Sequence, residues 1–273
     1  MFFIIGASSY NLTLRKEEDS YQILKGQAAL LAHNTEGHLK KAQLGSSETI
    51  LEVGCGAGEV TPQFLPFAAS ITAIDIDAEE LEIAQRRISD SRVKFLQADI
   101  TTLDQDDRFQ ERMFSVIYVR FLLMHIINPL NAIKQMLRVL KPGGRLLIQE
   151  SIMDTLTSIP HCPVVDRYKT LVIAAGRAQG TDYNIGSRLE DLLIQAGVDG
   201  HQIETYYRRY SVREGGATML VDRLDSWGPH AIELNVITQK EFDLLRKDLE
   251  SLVSQKYLSM NLAVQVHVIA TIY

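Results

Sequence analysis

Glu52, Gly54, Gly56, Gly58 and Asp75 have the types and the spacing to hold a ligand. The first four lie in Leu51-Glu52-Val53-Gly54-Cys55-Gly56-Ala57-Gly58, an apolar stretch running straight into glycines. Asp75 ends the next apolar stretch, Ile71-Thr72-Ala73-Ile74-Asp75. Glycine is needed where backbone approaches a ligand closely or takes a positive φ, and N–H groups at such a turn can face ligand oxygens. A glycine triplet alone is a common turn. Spacing strengthens it: Asp75 follows Gly54 by about 20 residues, where a nucleotide-binding α/β unit places the carboxylate that takes ribose hydroxyls. The competing role for Asp75, capping the helix that follows, suits Asp77 better.

Those residues need strands that end side by side, and the surrounding pattern supplies them. Short β-prone runs fall at 49–53, 71–75, 93–98, 114–119 and 145–150, and helical periodicity fills 78–88 and 130–140. A further helix is expected over 59–69, shortened or bent by Pro62 and Pro66. Strands separated by helices give βαβ units and a doubly wound, mostly parallel sheet. Right-handed crossovers then bring all the strand ends, and the ligand, to one edge. Residues 10–45 read as helical. Beyond Glu150, a loop with a helix over 164–175, a helix over 186–196, a strand-like stretch over 201–212, helix over 214–257 broken at Gly228-Pro229, and a β-rich run over 262–272 complete the chain.

The type of ligand turns on position 59. A dinucleotide fingerprint would place glycine there, whereas this chain has Glu59, a carboxylate poorly placed beside a pyrophosphate. A cationic ligand without phosphate would instead gain from Glu52 and its neighbours.

At this point the sequence resembles the class I S-adenosylmethionine-dependent methyltransferases, and in particular their small-molecule branch, which includes the ubiquinone and menaquinone methyltransferases. The resemblance covers about residues 48–150 and rests on four ordered motifs: the glycine stretch, Ile74-Asp75-Ile76-Asp77, Gln97-Ala98-Asp99-Ile100 and Arg138-Val139-Leu140-Lys141-Pro142-Gly143-Gly144. Glu52 stands where aspartate is commoner, and it keeps the carboxylate. The resemblance implies a seven-stranded sheet with an antiparallel last strand, N-terminal helices and a helical cap. It implies S-adenosylmethionine as cofactor, S-adenosylhomocysteine as product and no metal. The cofactor-binding residues carried over are Glu52, Gly54, Cys55, Gly56, Gly58, Asp75 for the ribose, Ile76 and Ile100 beside the adenine, Asp99 for its amino group, and Arg120. Tyr10 and Gln27 fall where helices of that branch close over the cofactor.

Methyl transfer from a sulfonium is an in-line displacement in which alignment supplies much of the rate. A general base helps only when the acceptor must lose a proton. His125 is the candidate base, and packing under the sheet edge or contact with the cofactor are its competing roles. Arg120 has three readings: cofactor pocket, binder of an acidic substrate, or partner of a structural carboxylate. Cys55 reads as a small packed residue rather than a reactive thiol. Arg208-Arg209 among Tyr206, Tyr207 and Tyr210 reads as a solvated strand edge rather than a nucleic-acid surface.

Composition agrees with an ordinary soluble domain: 273 residues, 46% hydrophobic, 23% charged, net charge −6 and two cysteines. The negative balance argues against nucleic acid, two cysteines are too few for a disulfide framework, and no run reaches membrane-span length. The expected organisation is an N-terminal segment 1–47 closing over the cofactor, a methyltransferase core at 48–213 with 258–273, a lid-like insertion at 151–185, and a cap at 214–257. The expectation is a cytoplasmic monomer or homodimer acting on a small molecule. RNA or protein methylation, and a catalytically silent cofactor-binding regulator, are the rivals.

Overall fold

The computed structural model describes residues 35–213, 215–255 and 257–273, so Tyr10, Gln27 and most of the 1–47 segment lie outside the described residues. Helix α1 is described over 35–41. It is followed by β1 (Glu48–Val53), β2 (Ala68–Asp75), α2 (Ala78–Arg87), β3 (Val93–Gln97), β4 (Phe114–Arg120), α3 (Pro129–Val139) and β5 (Leu140–Ile152). Then come β6 (Thr157–Ile159), α4 (Pro163–Ala178), α5 (Leu189–Gln195), β7 (Ile203–Arg208) and β8 (Ser211–Val212). Helices α6 (Gly216–Glu233) and α7 (Gln239–Val253) and strands β9 (Ser259–Asn261) and β10 (Val264–Thr271) complete the described chain.

Seven of these strands form one sheet in the order β3-β2-β1-β4-β5-β10-β7. β10 runs antiparallel between β5 and β7, and the pairs from β3 to β5 are parallel. This is the expected doubly wound sheet with its antiparallel last strand. β1 and β4 are buried almost throughout, as central parallel strands must be. The strand order reverses between β1 and β4, which is where open α/β sheets bind ligands.

Local chemistry explains the boundaries. Asp77 caps α2, accepting from the N–H groups of Glu79 at 2.9 Å and Glu80 at 3.3 Å. Asn128 caps α3, which opens on Pro129, and Thr238 with Glu241 forms a capping box on α7.

Three expectations are corrected. No α-helix follows the glycine turn: a 3-10 turn over Thr61–Phe64 stands in its place, Pro62 beginning the turn and β2 starting at Ala68. The 214–257 helix does not break at Gly228-Pro229; α6 continues through Pro229 to Glu233. A Cβ on Gly228 would stand 2.2 Å from the Phe242 ring, so the glycine is there for the close approach of α7. The 201–212 stretch is two strands in different sheets, since β8 joins β9 and β6.

Side chains split between the two sheet faces. Val53, Val119, Ile148 and Val268 pair across one face and pack with α3 to α7. The other face carries Ile50, Val116, Tyr118 and Leu147 beneath Leu39 of α1. It also carries a polar row: Glu52 lies opposite Tyr118, Arg120 opposite Gln149, Gln149 opposite His267 and His267 opposite Tyr206.

Candidate active site

The glycine turn is built on left-handed backbone. Gly54, Gly56 and Gly58 have φ of 70°, 50° and 76°. A Cβ on Gly58 would also stand 2.7 Å from Ile88 Cδ1. The turn is tied to β2 from inside. The N–H groups of Gly54 and Cys55 both donate to the Ile74 carbonyl, at 2.8 and 3.0 Å, and Gly58 N–H donates to the Cys55 carbonyl at 3.0 Å. Gly56 N–H donates to Asp75 Oδ2 at 2.8 Å. These four donors are therefore engaged by the protein rather than by ligand oxygens.

Asp75 is 2% exposed, and its Oδ1 accepts from Asp77 N–H at 3.0 Å. Burial pushes its carboxyl upward, against those backbone bonds. Glu52 is also buried, accepting from the Thr61 hydroxyl at 2.6 Å. Burial raises it to about 8, with Thr61 and the Arg120 guanidinium opposing the rise and the Asp75 carboxyl adding to it. Burial likewise drives the Cys55 thiol upward, which fits an inert packed residue. Glu59 pairs with Arg87 at 2.5 Å, so its charge is offset and cannot by itself decide the ligand.

A cavity of about 470 Å³ opens at the ends of β1 to β4. Gly54, Asp75, Ile76, Asp99, Ile100 and His125 line it, with Leu122, Asn128 and Asn131. The structure thus gathers five of the carried-over residues, Gly54, Asp75, Ile76, Asp99 and Ile100, from three of the four motifs. Asp99 uses Oδ1 for the N–H and hydroxyl of Thr101, at 2.8 and 2.7 Å. Glu52 and Arg120 lie behind the turn on the polar row, where Arg120 donates to Thr35 Oγ1 of α1 at 3.3 Å. Both are outside the cavity lining.

His125 is 4% exposed and burial lowers it to about 3, so its imidazole stays neutral and weakly basic. The turn that delivers it is held in an unusual way. Phe121, at the end of β4, has φ 51°. Just beyond, the N–H groups of Leu122 and Leu123 donate to Glu150 Oε1 at 2.9 and 2.7 Å. Glu150 is fully buried and raised by burial to about 8, and its Oε2 has no hydrogen-bond partner among the described residues. Sequence reasoning missed Glu150; its signal was a carboxylate two residues beyond the apolar run Leu146-Leu147-Ile148, at the end of the same strand-like stretch.

Comparison with known proteins agrees with this geometry. Residues 51–148 match the family model described as a methyltransferase domain. The chain is 34% identical over 131 residues to a demethylmenaquinone methyltransferase of Clavibacter sepedonicus, covering 48% of this chain and 49% of that one. It is 33% identical over 126 residues to the O-methyltransferase cnsE of Penicillium expansum, covering 44% of each. The chain spans about half the length of the curated relatives it matches. The solved structure of the YcgJ protein from Bacillus subtilis superposes with a TM-score of 0.61 at 17% identity, over 88% of this chain and 98% of that one. Among the described residues no helix is long and apolar enough to cross a membrane. The strand order, the left-handed glycine turn and the acidic residues at successive strand ends fall within or beside the stretch, residues 51–148, that matches a methyltransferase domain.

Proposed function

We propose that this protein transfers a methyl group from S-adenosylmethionine to a small organic acceptor. The observation that carries the reading is the combination of a buried, largely protonated Glu52 with a glycine turn whose donors are taken. A pyrophosphate would need those N–H groups, whereas a ligand with an ammonium group gains from a carboxyl that it can ionise. The cofactor supplies an activated methyl group on a sulfonium.

The chain's own residues then have positioning roles. Asp75, fixed by Gly56 and Asp77, is placed to take the ribose hydroxyls. Ile76 and Ile100 offer apolar surface to the adenine, and Asp99 Oδ2 is left for its amino group. Glu52, with Arg120 and Thr61 beside it, sets the electrostatics behind the turn. His125 serves as a neutral wall of the cavity, since a base lowered to about 3 draws few protons at neutral pH. Net charge of −6 and a bounded cavity favour a small molecule over RNA.

Calorimetry with S-adenosylhomocysteine should give saturable binding, and none at millimolar concentration would sink the reading. Incubation with methyl-labelled donor should place label in a metabolite extract. Label found only in bulk RNA or protein would replace the small-molecule acceptor by a macromolecule.

A further inference from the structure

β4 and β5 separate at the edge of the cavity, and one carboxylate occupies the point of separation. Arg120, the last residue of β4, lies opposite Gln149. Phe121 N–H still donates to the Gln149 carbonyl at 2.9 Å. Phe121 itself has φ 51°, left-handed backbone that a bulky side chain adopts only where its surroundings impose it. The chain then leaves the sheet, and the N–H groups of Leu122 and Leu123 lose the strand they would have paired with. Both residues are buried, so those groups need a partner from the protein.

Glu150, one residue beyond Gln149 on β5, supplies it. Its Oε1 accepts from both N–H groups, at 2.9 and 2.7 Å. Its surroundings offer no other reason for a carboxylate. It is fully buried, it lies opposite Val266 of β10 with Ile148 two residues before it on the same sheet face, and its Oε2 makes no hydrogen bond among the described residues. An apolar side chain would fill that space without the desolvation cost.

The turn held in this way forms one wall of the cavity, through Leu122, His125, Ile126 and Ile127. Leu122 stands over the glycine turn: a Cβ on Gly54 would come within 3.1 Å of Leu122 Cδ2. His125 N–H closes the turn onto the Leu122 carbonyl at 2.8 Å, and Asp182 N–H braces it from the other side, donating to the Met124 carbonyl at 3.2 Å. A displacement of Leu122 would therefore change the space above the glycines and the wall at His125 together.

We propose that Glu150 is a positioning residue for the methyl donor: by holding the Leu122 and Leu123 N–H groups it keeps Leu122 against Gly54 and His125 in the wall, so that the cavity has its shape before the ligand arrives. This rests on the methyl-transfer reading above. Glu150 is outside the cavity lining, so it acts on affinity by preorganisation and not by contact.

Two variants of similar size separate acceptance of these bonds from filling of the space. Glu150→Gln presents the same acceptor oxygen, and Glu150→Leu accepts nothing. In calorimetry with S-adenosylhomocysteine, Glu150→Leu should bind at least about tenfold more weakly than the parent, and Glu150→Gln should stay within about threefold. A residue serving stability alone would lower the stoichiometry of binding in Glu150→Leu and leave the affinity of its folded fraction unchanged. Backbone hydrogen exchange needs no variant: in the unliganded wild type, residues 121–126 should exchange as slowly as β4. Exchange of that segment at the rate of an exposed loop, parental affinity in Glu150→Leu, or an equal loss in both variants would each overturn the proposal. Absence of S-adenosylhomocysteine binding in the wild type would count against the methyl-transfer reading, while the exchange measurement would still decide whether Glu150 holds the turn.

Discussion

The polar row on one face of the sheet has two ends that hold opposite kinds of group. At the β1 end Glu52 is raised to about 8, with Thr61 donating to it and Arg120 close by. At the β10 end His267 stacks on Tyr206 at 4.8 Å, and His38 of α1 meets both, bonded to the Tyr206 hydroxyl at 2.7 Å. Burial lowers His38 to about 3, helped by His267, and lowers His267 to about 4, helped by Arg208. One cause, exclusion from water, neutralises both ends. The difference lies in what surrounds them. Glu52 has a cation and a hydroxyl that favour ionisation and needs only a further positive charge to reach it. The ring nitrogens of His267 have no hydrogen-bond partner among the described residues, so an added proton there would be stranded. Under the proposed function the first end would respond to a cationic ligand; at the second, His38 of α1 is bonded to Tyr206 and packed on His267.

The most severe test of this contrast is steric. Gly58→Ala should destabilise the protein by about 2–4 kcal/mol in chemical denaturation, from a left-handed alanine and the collision with Ile88. A cost below about 1 kcal/mol would mean that the turn relaxes freely and the β1 end is not preorganised.

Next comes Asp75→Ala, which removes a buried carboxyl bonded to two N–H groups. S-adenosylhomocysteine affinity should fall roughly 100-fold by calorimetry. Unchanged affinity would refute its ribose role.

The β10 end is tested by acid. Its histidines have depressed values in the folded protein, so their contribution is present above about 6.5 and lost as pH falls toward 4 and 3. Between pH 7 and pH 5 each histidine should remove up to about 2 kcal/mol of stability, and His267→Phe should recover its own share. Glu52 acts in the other direction: its stabilising contribution is present below about 4.5 and lost as pH rises through about 8. A His267→Phe protein as acid-sensitive as the parent would move the sensitivity away from this cluster.

The smallest effect is on ligand linkage. If an ammonium group ionises Glu52, affinity for S-adenosylhomocysteine should rise about tenfold from pH 6 to pH 8. Glu52→Gln should lack that rise, and subtracting its profile removes the ligand's own titration. Parallel profiles would leave Glu52 a structural residue.

Much of the β1 end was legible in the sequence because its determinants are adjacent. Asp75 and Asp77 sort into turn and cap from their order alone, and the structure divides them that way. The β10 end was hidden. Gln265 and His267 alternate with valines in the β-rich run, and nothing local says that both are buried, Gln265 bonded to Gln149 and His267 meeting His38 of α1. Pro229 read as a helix break because the packing of Gly228 against Phe242 is a contact between two helices, beyond local propensity. After the glycine turn the error ran the other way. Pro62 and Pro66 pointed to a shortened or bent helix, yet the chain goes further and makes only a 3-10 turn.

The antiparallel β10 also has a consequence for how the sheet is assembled. β5 and β7 run in the same direction with one strand-width, about 10 Å between their axes, left between them. β7 cannot zip onto β5, so it waits for residues 264–271 to arrive and pair on both sides at once. His267 travels with that strand, so its contact with His38 of α1 forms only when the last strand closes. The seam between β5 and β10 thus holds the most sequence-distant pairing of the sheet, with partners 112 to 126 residues apart, the kind of contact whose loop-closure cost slows folding.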